Sequence, residues 1–332
     1  GCGPSSLAGR DGGMRVAERD TLIVPDTPIH DPVTKRWSVG SLDTIPVWRL
    51  EERYGTVTVS SWVDEDGRLV RAESPLGFVV ERTAYELAMQ DWERDRSDAS
   101  LAAGYGIVIE STAIASNVPL DGVEARDSLM VRLLNVELEG FDLEGGRQAL
   151  RGDTLVIRRE ALPSAAGYRL PWRGGGEPAA ELGATPLIQA TDPRIVETAK
   201  RIAGGSDDPV VVAKRLNDWV YSTLRKNVTL SVPSAVQVLE SGAGDCNEHT
   251  VLYVALARSL GLPARTAVGV VHLDGRFYYH AWPEVWLGRW VAMDPTFGQA
   301  PADASHLRFL IGDLARQVEL IRLIGRLRLE VQ

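Results

Sequence analysis

The chain has 332 residues, 44% of them hydrophobic and 24% charged, which excludes a chain disordered throughout and suggests two domains at ~100–200 residues each. With 45 acidic against 36 basic residues the net charge is −9, and no basic run is present, so a nucleic-acid partner has no electrostatic footprint. No stretch approaches the ~18 consecutive apolar residues of a membrane-spanning helix, and two cysteines, Cys2 and Cys246, exclude a disulfide framework.

Residues 1–19 read as a flexible leader. Gly1-Cys2, followed by Gly3, Pro4, Ser5 and Ser6, resembles the end of a bacterial lipoprotein signal. It sets the expectation of a lipid on Cys2, hence a cell-envelope protein, periplasmic or membrane-attached. An accidental cysteine in a loose terminus is the alternative. Residues 20–160 read as a β-rich domain. Thr21–Val24 is a short apolar run, and Thr56–Trp62 alternates before an Asp64–Gly67 turn and Arg68–Val70. Further strands are expected at 77–82, 106–114, 128–138 and 153–159, with one helix over 84–95. No chemical motif falls in this half. Residues 161–188, rich in Pro, Gly and Ala, have the composition of a linker to a second domain at 189–332.

In that second half Asp192-Pro193 and Asp208-Pro209 each open a helix, aspartate as the cap and proline at the first helical position. Leu216, Trp219, Val220 and Leu224 recur at helical spacing and should face a core. A third helix begins at Gly244-Asp245-Cys246-Asn247-Glu248-His249 and stops at Gly261 and Pro263. Asp245 and Glu248 stand at capping-box spacing, which makes Cys246 the first helical residue. Free N–H groups and the dipole there favour an anion, so the Cys246 thiol is expected to have a lowered pKa and to act as a nucleophile. The Cys246 N–H is itself a candidate oxyanion donor. Asp245 opposes the effect with its own charge. A buried structural cysteine is the competing reading.

A base is sought among His30, His249, His272, His280 and His306. Phe277–Trp286 and Trp290–Asp294 read as a hairpin around Leu287-Gly288-Arg289. If Trp286 faces Trp290, Asp294 falls opposite Trp282 and one diagonal step from His280, within side-chain reach. Cysteine, histidine and aspartate then supply nucleophile, base and orienting group. Pro283 is awkward in such a strand and is expected at a bulge or an unpaired stretch. Tyr278, Trp282, Glu284 and Trp286 share the His280 face, and Trp282 and Tyr278 are candidates to line an acyl pocket. A zinc site from Cys246, His249, His280 and Asp294 is the weaker alternative. Asp303 and His306 are spaced as a supporting pair or as a surface loop. Leu327, Leu329 and Val331 alternate in a closing strand.

The words Gly244–His249, Leu260–Arg265, His280–Val285 and Trp290–Thr296, in that order, resemble the transglutaminase-like superfamily over roughly residues 190–310. The resemblance implies an α+β fold with a papain-like core and maps a Cys-His-Asp triad onto Cys246, His280 and Asp294, with no cofactor or metal. It implies acyl transfer or hydrolysis at an amide of a peptide or protein through a thioester. Alternatives within it are a peptidase or amidase proper, or a catalytically silent peptide-binding module.

Overall fold

The computed structural model describes residues 14–54, 57–73, 79–88, 90, 112–227, 234–312 and 318–332. Cys2 lies outside them. The chain divides into two compact units, 1–101 and 102–332. The first holds β1 (Met14–Pro25), β2 (Pro28–Asp31), β3 (Arg36–Val39), β4 (Leu42–Tyr54), β5 (Val57–Val63), β6 (Leu69–Glu73) and β7 (Val79–Glu81). Five of these form an antiparallel sheet in the order β1-β4-β5-β6-β7. Its small core is Val24, Val47, Trp62 and Val70. Gly67 closes the β5–β6 turn at φ 76°, a left-handed value glycine tolerates. Of the helix expected over 84–95, residues 85–88 and 90 are helical, and the rest lies outside the described residues.

The second unit adds β8 (Ile114–Ala115), β9 (Ser128–Leu134), β10 (Gln148–Arg151), β11 (Thr154–Arg158), β12 (Arg225–Lys226), β13 (Ala243–Gly244), β14 (Ala264–Leu273), β15 (Arg276–Trp286), β16 (Trp290–Ala292), β17 (Leu307–Ile311) and β18 (Arg328–Val331). Residues 106–111 of the strand expected at 106–114 lie outside the described residues.

The division at 101/102 corrects the expected one at 161–188. The cause is long-range pairing. β9 takes β18, from the far end of the chain, as its neighbour in the sheet β10-β11-β9-β18. Leu129, Val131, Leu155 and Ile157 then pack in one core with Val270, Phe277 and Phe309. The Pro/Gly/Ala-rich segment is tied down as well. Tyr168 donates from its hydroxyl to the Trp286 carbonyl at 2.6 Å, and Trp172 donates its backbone N–H to the Gly261 carbonyl at 2.8 Å. Its composition meets the needs of a close-fitting surface strap and of a linker equally.

The remainder of the second unit is α+β. The antiparallel sheet β16-β15-β14-β17, with β8 beside β15, is packed by the helix Cys246–Ser259. Helices Pro193–Ala203, Pro209–Thr223 and Ala235–Ser241 pack against that helix in turn. Asp192 and Asp208 cap as expected, accepting the N–H of Arg194 and of Val210 and Val211. Leu216, Val220, Leu252 and Leu256 are buried in the shared core, each contributing about 1.5–3 kcal/mol, while Trp219 is half-buried at its edge. Because the Cys246 helix is held on its whole inner side, its first residue is a fixed point.

Candidate active site

The helix start is built as a capping box. Asp245 accepts the Asn247 N–H at 2.8 Å, and Glu248 accepts the Asp245 N–H at 3.0 Å. Gly244 makes room for this box. A Cβ there would stand 2.2 Å from Glu248 Cβ, so only glycine lets Glu248 hook back. Cys246 is half-buried, and the Ala281 N–H, next to His280 on β15, points at its sulfur.

The thiol does not behave as the helix start suggests. Burial pushes its pKa up, and the carboxylates of Asp245, Asp294 and Glu248 push it further. The Ala281 N–H acts the other way but does not reverse the direction. Crowding also raises Asp245, to about 8, through burial and its neighbour Glu248. The thiol lowering expected at a helix start is therefore corrected: burial first, then the neighbouring carboxylates, hold the thiol up.

The hairpin register is as predicted. Trp286 pairs with Trp290 and Glu284 with Ala292, and Met293 donates to the Pro283 carbonyl at 2.9 Å. Pro283 sits in regular pairing opposite Thr266, without a bulge. Its carbonyl faces Met293, so its missing N–H would face the same way, beyond the end of β16. His280 Nε2 lies 2.8 Å from Asp294 Oδ2. That commits Nε2 to the carboxylate. Asp294 follows β16 into a turn where its Oδ1 accepts the N–H groups of Thr296 at 2.7 Å and Phe297 at 3.0 Å. The Phe297 ring stacks on His280, centroids 5.0 Å apart at 11°. Although Asp294 is fully buried, His280 and His306 hold its carboxyl well below the usual carboxylate range.

Trp282 is fully buried among Ala267, Ala292 and Ala302, its ring lying roughly parallel to His280 at 6.0 Å. It supports the imidazole from beneath and does not line a cleft, correcting its expected role as an acyl-pocket wall. Glu284 is likewise buried, paired with Arg265 and Arg308 at 2.7 and 2.9 Å. Tyr278 is half-buried on β15. A cleft of about 680 Å³ opens beyond Phe297, between the 116–124 loop and the β14–β15 turn; Asp121, Glu124, Asp274 and Asp303 are on its wall, and neither Cys246 nor His280 is.

Of the other histidines, His30 meets Trp37 in the first unit and His272 meets Phe277 at the cleft. His249 is buried, its Nδ1 2.6 Å from the Asp245 carbonyl oxygen, and burial lowers its pKa. His306 carries more than its spacing suggested. Its Nε2 lies 2.9 Å from Asp294 Oδ2 and its Nδ1 3.1 Å from Asp303 Oδ1. The i,i+3 pair with Asp303 was visible in sequence; the contact with Asp294 depends on β17 joining β14, which no local pattern shows. Gly269 permits that approach, since a Cβ there would stand 1.9 Å from the Leu307 carbonyl oxygen.

Among the described residues, the one group close enough to share a metal ion is His280, Asp294 and His306, with ligand atoms within 4.8 Å of one another. Metal ligation needs deprotonated donors. Here both ring nitrogens face an aspartate oxygen that already receives hydrogen bonds, so the trio fits a proton-bearing network better than a metal site. The zinc set with Cys246 and His249 is not assembled there.

Residues 196–295 match the model of the transglutaminase-like superfamily. An uncharacterized protein of Mycobacterium leprae is 31% identical over 117 residues, which is 31% of this chain and 40% of that protein. Among solved structures, a candidate cysteine protease from Cytophaga hutchinsonii is similar at TM-score 0.41 and 15% identity, covering 62% of this chain and 84% of that one. The periplasmic domain of TgpA from Pseudomonas aeruginosa is similar at TM-score 0.36 and 16% identity, covering 56% and 75%.

Proposed function

We propose, given that residues 196–295 form a transglutaminase-like core, that the protein performs thiol-dependent acyl chemistry on an amide of a peptide or protein. The observation that carries this reading is the 2.8 Å His280–Asp294 hydrogen bond on the strand whose Ala281 N–H meets the Cys246 sulfur. The Cys246 proton passes to His280 Nδ1, and the resulting imidazolium is the cation the raised thiol lacks. The thiolate attacks the amide carbon, and the oxyanion that forms takes a hydrogen bond from the first-turn Cys246 N–H. His280 returns its proton to the departing amine, leaving a thioester. Water or a second amine, deprotonated by His280, then attacks, releasing an acid or a new amide and restoring the thiol.

Residues Cys246, His280 and Asp294 carry nucleophile, base and orienting roles in this proposal. One observation favours a second reading: a thiol raised by burial and by neighbouring carboxylates also suits a silent peptide-binding module. Iodoacetamide separates the two. A catalytic Cys246 is alkylated below the pH of an ordinary thiol titration, and that reactivity disappears in His280→Ala. Labelling that follows a simple, high thiol pKa in both proteins would leave the binding module. Parallel amine-incorporation and peptide-cleavage assays then distinguish transfer from hydrolysis.

A further inference from the structure

We propose that His306 is a positioning residue for this chemistry: doubly protonated and clamped between Asp294 and Asp303, it fixes the Asp294 carboxylate against His280 and offsets part of its charge. The inference rests on the thiol–imidazole reading above. Asp294 Oδ1 accepts from the Thr296 and Phe297 N–H groups, and its Oδ2 faces His280 Nε2 and His306 Nε2. Asp303 Oδ1 accepts the Ser305 N–H at 2.8 Å and the Ser305 hydroxyl at 2.6 Å, and its Oδ2 accepts from Gln299 Nε2 at 2.8 Å. Both carboxylates are therefore filled with donors and have no need of a proton of their own. The ring between them meets a carboxylate oxygen at each nitrogen, which requires an N–H at each. His306 is fully buried and cannot trade these partners for water.

Burial alone would discharge His306; the two carboxylates outweigh it and raise its pKa. The same contacts lower both aspartates. The other groups facing the ring are His280, at a centroid distance of 5.8 Å, Trp282 edge-on at 5.1 Å and Phe297 at 6.4 Å. Arg147 reaches the Asp303 carbonyl, not its carboxylate. A fixed positive charge on the far side of Asp294 has two effects on His280. It holds the acceptor oxygen in place, so the ring keeps Nε2–H toward Asp294 and Nδ1 toward the thiol. It also weakens the hold of Asp294 on the His280 imidazolium, which must give its proton back to the leaving amine.

The first test is ring ¹⁵N NMR on the full chain labelled at histidine. At about pH 7.5 an ordinary histidine, with pKa near ~6.5, is mostly neutral. His306 should show two protonated nitrogens there, and in Asp303→Asn it should lose one. A singly protonated His306 ring in the wild-type protein overturns the proposal. The second test is the pH dependence of Cys246 alkylation. Proton loss from the thiol–imidazolium pair is harder once that positive charge is gone, so His306→Gln should move the acid limb of Cys246 alkylation to higher pH, by on the order of one unit or about tenfold in rate on the acid side. No shift, or a shift to lower pH, overturns it. If wild-type Cys246 shows no His280-dependent reactivity, the thiol–imidazole reading falls by itself, while the ring NMR still decides the charge of His306.

Discussion

Two clusters of carboxylates meet at this site, and they are in opposite states. On the helix side, Asp245 and Glu248 crowd one another, and both Asp245 and the Cys246 thiol are pushed up. On the strand side, Asp294 and Asp303 are also buried, yet both are pulled down by imidazoles and N–H donors. Residue type therefore decides little; the donors each fold element delivers decide the charge. In the proposed mechanism the nucleophile stands on the side that resists a negative charge and the base on the side that accumulates it, so the proton transfer between them would join the two halves.

Removing that transfer should have the largest effect. Cys246→Ala should abolish activity, a loss of roughly 10⁴-fold or more, with an unchanged melting transition, and Cys246→Ser should be nearly as inactive. Full activity in either would break the comparison at its centre. His280→Ala should also leave the thiol without a cation, raising the pH needed for alkylation. Asp294→Asn keeps the shape but presents an amide to two rings that both donate. It should lower kcat by roughly 10³–10⁴, less than loss of the thiol, as with other orienting carboxylates. Steady-state kinetics beside calorimetry check each.

What the sequence made legible here was local. The capping box at Asp245 and Glu248, the proline-led helices, and the Trp286–Trp290 hairpin that brings Asp294 to His280 each depend on residues within about one element of one another. The charge states were not legible, because Asp294 acts on Cys246 across the core and His306 arrives on a different strand. The same distinction explains the domain boundary. A Pro/Gly/Ala composition at 161–188 shows a lack of regular structure, but the division is set by β9 pairing with β18 across the whole second unit.

Stability should record the two clusters separately. Asp294 and Asp303 are lowered in the folded protein, so their contribution is present above the unfolded value near ~3.9 and is lost as pH falls through their folded values. His306 is raised, so its contribution is complete below about 6.5 and is lost as pH rises through its folded value. Asp245, raised to about 8, and the raised thiol also favour the folded state less as pH rises. The melting temperature should therefore peak between about pH 4 and 6.5 and fall on both sides. A plateau extending to pH 9 would contradict the directions of His306 and Asp245 together.

The smallest effect, and the sharpest, belongs to Asp245→Asn. Asparagine is as good an N-cap as aspartate, and its carbonyl oxygen can still accept the Asn247 N–H, so the helix start should survive. What disappears is a carboxyl that becomes an anion near pH 8, one residue from the sulfur. Above that pH the wild-type thiol ionises against Asp245; in the variant it does not. The alkaline part of the Cys246 alkylation curve should move to lower pH, by up to about one unit, or tenfold in rate near pH 9. Between about pH 4 and 8 the variant's melting temperature should fall less steeply, because a residue that does not titrate cannot favour the unfolded chain as pH rises. Asp245→Ala is the control: it removes the same charge but also the cap, costing about 1 kcal/mol, so the alkylation shift should be shared and the stability gain should not. An alkylation curve unmoved in both variants would mean that the Asp245 charge does not reach the sulfur, and that the helix side is held by burial alone.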